Sequence, residues 1–154
     1  MNSYQIVDEP RASRWSKKSV DPMWPLLAFM LGGAIFSWLW YALNSIALNS
    51  SSRNKELFII GAALLVFTCM YIGLGALIEG GALADINIQY IKICITSIEL
   101  IFCYKLYLMQ QPSFDLYEYF NGDIASPAVG LVLALLAGKK VEIFIINLLL
   151  TGAA

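Results

Sequence analysis

Long uncharged, apolar stretches dominate the chain, and a helix that crosses about 30 Å of hydrocarbon needs about 20 such residues in a row. Pro22 to Ser52 is 31 residues without a charge, and within it Trp24 to Leu48 predicts a first helix, with Pro25 tolerated in its first turn. Leu57 to Ile78 predicts a second, of 22 residues. The polar run Asn49 to Glu56 between them is short enough only for a tight connection, so the two are expected to form an antiparallel pair. A third span, Ile86 to Leu108, carries Lys92, Glu99 and Lys105. A fourth, Ser126 to Leu150, is interrupted at Gly138-Lys139-Lys140. Either its lysines turn toward the bundle or a wet cleft, at about 2.5–3.5 kcal/mol each, or the segment is a re-entrant hairpin with Lys139 and Lys140 at its tip. The expected fold is therefore all-α: a polytopic membrane bundle of about four helices (24–48, 57–78, 86–108 and 126–150), the last broken or re-entrant in the alternative reading, making up a membrane domain over 22–154.

Composition agrees with lipid as the solvent. Of 154 residues, 59% are hydrophobic and 14% charged, and the mean hydropathy is +0.69, whereas a soluble domain carries roughly 25% charged residues on its surface. The net charge of −1, with basic residues scattered, provides no stripe to neutralise phosphates, so nucleic acid is not an expected partner. Residues 1–21 mix Asp8, Glu9 and Asp21 with Arg11, Arg14, Lys17 and Lys18 and lack periodicity, which predicts a flexible polar tail without a cleavable signal. Four basic residues there against Arg53 and Lys55 in the first loop favour a cytoplasmic N-terminus. An even number of spans would put both termini on one side.

Within the spans, Glu99 is the sharpest signal, since a carboxyl in hydrocarbon must be protonated, paired or turned to a wet interior. Its candidate partners are Lys92, Lys105, Lys139 and Lys140. One reading makes it part of a structural ion pair; the other gives it a proton- or ion-handling role. Small residues recur at spacing four, Gly33 with Ser37 and Gly130 with Ala134 and Gly138, which lets helix backbones approach closely within the bundle or against another chain. Residues 114–120 place Phe114, Tyr117 and Phe120 on one side at helical spacing, a short interfacial helix or aromatic loop that would offer a docking surface. Trp24, Trp38, Trp40 and Tyr41 read as interfacial anchors.

Catalytic templates are missing from the sequence. It has no histidine, no phosphate-cradling glycine loop and no nucleophile elbow, and nothing marks Ser97 or Ser126 as activated by a lysine. Cys69, Cys94 and Cys103 lie within predicted spans without Cys-x-x-Cys spacing, so neither a metal, a cofactor nor a disulfide is expected.

Gly32-Gly33 in a Trp-rich first helix, followed by Ala47 to Leu57 entering the second, resembles small uncharacterised polytopic inner-membrane proteins of Gram-negative bacteria. The likeness covers residues 24 to 78, implies a multi-pass inner-membrane location, and brings no functional residues. In overall plan the chain also resembles membrane-embedded immunity proteins that act against pore-forming toxins. The leading functional expectation is thus a non-enzymatic protein that binds another membrane protein, as an immunity factor or accessory subunit, through Phe114, Tyr117 and Phe120. The alternative is a small oligomeric transporter or channel subunit that uses Glu99.

Overall fold

The computed structural model describes residues 19–50, 52–83 and 86–151. All regular structure among them is helical: α1 (Met23–Gly32), α2 (Ala34–Leu48), α3 (Arg53–Glu79), α4 (Ile88–Tyr119), α5 (Ala128–Leu133), a π-helical turn (Ala134–Gly138) and α6 (Lys139–Thr151). Most of the expected polar tail lies outside the described residues. Its last part is not loose: Ser19 and Val20 are buried, and the Ser19 carbonyl accepts the Ala125 amide at 2.8 Å.

The expected helix from Trp24 to Leu48 is not one rod. Gly33 takes φ 85° and ψ 178°, a backbone conformation that costs glycine little and other residues much. There the chain doubles back. Ser37 Oγ donates to the Pro25 carbonyl at 2.7 Å, Tyr41 Oη donates to the Pro22 carbonyl at 3.0 Å, and the Val20 amide donates to Asn44 Oδ1 at 2.9 Å. Residues twelve apart in a straight helix would stand about 18 Å from each other. α1 and α2 are therefore the arms of an antiparallel hairpin whose tip is Gly32-Gly33-Ala34, all three buried.

This hairpin fills the centre of the molecule. Nine of the 15 residues of α2 are buried, against five of the 27 of α3, so α2 is the inner helix and α3 an outer one. Phe29, Ile35, Trp38 and Tyr41 of the hairpin meet Ile60, Ala63 and Phe67 of α3 and Cys103 and Leu106 of α4, with Ile145, Ile146 and Leu149 of α6 closing the remaining side. Trp38 packs edge-on against Phe67 and Phe102, at ring-centre distances of 5.9 and 6.4 Å. Trp38 and Tyr41 are thus core residues, which corrects their reading as interfacial anchors.

The last segment is continuous. Leu133, Ala134 and Lys139 all keep right-handed helical backbone, so α5, the π turn and α6 form one rod, and no hairpin tip exists at Lys139-Lys140. A π turn stands where the break was expected. Close packing accounts for the small residues at this level: a Cβ on Gly138 would lie 2.6 Å from the Gly32 Cα, Ala134 sits against Gly32, and Gly130 lies under the Trp40 ring. The stripe of Gly130, Ala134 and Gly138 serves the bundle's own contact with the hairpin.

α4 likewise runs further than its apolar stretch, passing through Pro112 to Tyr119. The proline removes one backbone donor, yet the helix holds because Glu99, Cys103, Leu106, Gln110, Phe114 and Tyr117 form a single buried stripe along it. Residues 114–120 are consequently the end of α4 and not a separate interfacial helix. α3 is long and apolar enough to cross a membrane, whereas α1 and α2 are apolar but shorter. Large apolar side chains cover the outer faces, among them Phe58, Leu65, Ile101, Leu136 and Phe144.

Gly138→Leu should force α6 off the hairpin tip, because its first side-chain carbon meets backbone that cannot yield. A loss of about 1–3 kcal/mol is expected for such overpacking, read as a lower melting temperature of the purified protein in detergent.

Candidate functional site

Polar side chains inside the bundle gather in two places. The first is at the end of the bundle where α3 begins. Glu56, fully buried, accepts from Gln110 Nε2 at 2.9 Å through one oxygen and from Ser50 Oγ at 2.7 Å and Ser52 Oγ through the other. Gln110 Nε2 also donates to the Tyr41 carbonyl at 2.9 Å, while its Oε1 accepts from Asn44 Nδ2 at 3.0 Å. Asn44 in turn holds the Val20 amide. Four separate segments are cross-linked in this way, with every polar atom of the Gln110 amide engaged. That completeness marks a structural network, since a half-satisfied one would cost more than an apolar core. Sequence reading placed Glu56 in a loop and passed over Asn44 and Gln110; their spacing on the inner faces of apolar helices was the available signal.

The second cluster lies at the hairpin tip, around a cavity of about 640 Å³ between α1, α3, α4 and α6. Two carboxylates line it. Glu99 comes from the buried stripe of α4 and receives a long contact from Tyr71 Oη at 3.5 Å. Glu142, which sequence reading missed, comes from the first turn of α6 and is 4% exposed. Its Oε1 pairs with Lys139 Nζ at 3.0 Å. Its Oε2 is buried without a hydrogen-bond partner, the one carboxylate oxygen so placed among the described residues. A Cβ at position 33 would coincide with this carboxylate. Gly33 is thus needed twice, for the reversal and for the space that Glu142 occupies.

The tip also contributes its own polarity. A helix start leaves backbone N–H groups free and carries partial positive charge, and a helix end leaves carbonyls free with partial negative charge. Here the end of α1 and the start of α2 meet at one point, facing Glu142. Irregular backbone of this kind is stable away from water only where protein or a cavity surrounds it.

The other candidate residues divide clearly. Lys92 and Lys139 line the same cavity as Glu99, but Lys139 pairs with Glu142 instead. Lys105 lies on an outward groove with Tyr104 and Leu108, off the buried stripe, and Lys140 is exposed; neither reaches Glu99. Phe114 and Tyr117 are buried against Leu48, which removes them from any docking surface, and only Phe120 of that trio is exposed. Ser37 is buried, with Cys103 Sγ 3.5 Å from its hydroxyl. Ser97 donates to the Ile93 carbonyl of its own helix. Among the described residues no three carboxylates or cysteines gather to hold a metal ion. Comparison with family models, curated proteins and solved structures gives no match for this chain.

Asn44→Ala removes the acceptor that holds Val20 and leaves the Gln110 carbonyl oxygen without its donor. A cost of about 1–3 kcal/mol is expected, together with faster limited proteolysis near residues 19–21 than in the wild type.

Proposed function

We propose that the chain is a multi-pass protein of a bacterial cytoplasmic membrane, acting as a small transporter or channel subunit that moves protons or another cation through the carboxylate cavity. In this reading α3, α4 and the rod 128–151 cross the bilayer, while the α1–α2 hairpin enters and leaves from the face where α3 begins. Apolar residues all around the outer faces support immersion in lipid. The observation that carries the function is the convergence of Glu99 and Glu142, from two helices, on one cavity beside an irregular backbone turn, with one carboxylate oxygen left unpartnered. Ionisable groups are costly at membrane depth and mark ion pathways, and half-helix ends at such a depth suit ion binding.

The partner-binding reading has less support, because two of the three side chains offered for docking are inside the protein. A continuous path needs more walls than one chain supplies, so the working unit is expected to be a homo-oligomer in which copies lie side by side.

The hairpin changes the expected topology. With three crossings the termini fall on opposite sides, and the tail and the first loop share one side. Arg11, Arg14, Lys17, Lys18, Arg53 and Lys55 then add rather than compete, which favours a cytoplasmic N-terminus and a C-terminus on the far side. Reporter fusions to the two ends should give opposite signals; like signals would instead support four crossings.

The functional test is flux. Proteoliposomes holding the wild type should dissipate an imposed proton or alkali-cation gradient, and Glu99→Gln or Glu142→Gln should slow this at least about tenfold while helical circular dichroism is kept. Wild-type vesicles as tight as empty ones would overturn the proposal.

A further inference from the structure

The cavity at the hairpin tip is built for more than a proton. Its walls are mostly aliphatic and aromatic, with Phe29, Met30, Leu74, Ile95, Ile143 and Ile146 around the two carboxylates, and about 640 Å³ is within the range of sites that enclose a drug-sized organic molecule. A proton has no use for such a volume. Small divalent cations fare no better, since magnesium or calcium requires six or more oxygen ligands in close array, and here two carboxylates from separate helices and the Tyr71 and Thr96 hydroxyls stand apart among hydrocarbon, one carboxylate already paired with Lys139.

We propose that the cavity binds an organic ammonium ion with an apolar body, its charged head between Glu99 and Glu142 and in competition with the Lys139 ammonium. This rests on the reading of the cavity as a cation site and adds the class of cation. Glu142 lines the cavity with its Oε2 packed on the Gly33 turn without a hydrogen-bond donor, so only Lys139 pairs with this carboxylate at the cavity wall. Lys139 is the resident cation on the other oxygen, and its side chain, 56% exposed at the cavity's edge, can be displaced from Glu142 without unpacking the bundle. Phe29 and Tyr71 add aromatic faces, which attract alkylammonium groups. Lys92, the second basic residue of the lining, belongs to the second turn of α4, toward the end of the cavity away from Glu99.

Equilibrium dialysis of tetrapropylammonium against the full chain in lipid nanodiscs tests this, with empty nanodiscs as background and hexanoate as the anionic probe. Saturable tetrapropylammonium binding is expected. Glu142→Gln and Glu99→Gln should weaken it at least about tenfold, and Lys139→Gln, which removes the competitor, should tighten it about threefold. The gain expected of Lys139→Gln separates the proposal from mere loss of folding. Absence of saturable binding, a preference for hexanoate, or weaker binding in Lys139→Gln would overturn it. Should tetrapropylammonium fail to bind while proton flux through the wild type persists, the class of ligand falls and the transport reading stands; loss of both removes both.

Discussion

Everything in the molecule is arranged around one backbone reversal. At Gly33 the chain turns through a conformation that needs a positive φ, and the two apolar arms it creates pack back to back in the middle of three longer rods. Each arm is too short to cross a bilayer at 1.5 Å per residue. Their buried faces set the positions of α3, α4 and α6, and their meeting point sets two helix ends deep in the protein. The cavity and its carboxylates occupy that level, where the packing leaves room and polarity together.

The two polar clusters contrast in how fully they are satisfied. Around Glu56 both carboxylate oxygens and the whole Gln110 amide have partners, and the cluster ties the N-terminal segment, the hairpin, α3 and α4 together. At the tip the set is incomplete. Incomplete satisfaction of a buried carboxylate is expensive, and at the tip that cost falls on Glu142.

Much of this was legible in the residues. Helical class, the long apolar rods over residues 57–78 and 86–108 and the inward stripe of small residues in the last segment follow from run length and spacing. The fold-back of the first segment was legible in part: Gly32-Gly33 is a turn signal, and Ser37, Asn44 and Ser45 are unusual on a lipid-facing helix, yet the 31-residue uncharged run outweighed them. Glu99 stood out because it is the one acid of its span and lies away from both ends. Glu142 did not, because Lys139 and Lys140 drew attention to a break in the same turn, and Gln110 and Phe114 lay past the end of the apolar stretch near Pro112. Those positions are set by tertiary contacts between helices distant in sequence, which no local window contains.

The π turn at Ala134–Gly138 has a geometric effect beyond its fit to Gly32. A wider coil inserts one residue into the helix, and each α-helical residue advances the azimuth by about 100°. All that comes after is therefore dialled round relative to α5. Without this phase offset the acid of the first α6 turn would swing about a quarter-circle out of line with the glycine elbow, and the small-residue face and the charged face of a single rod would no longer aim at the same neighbour.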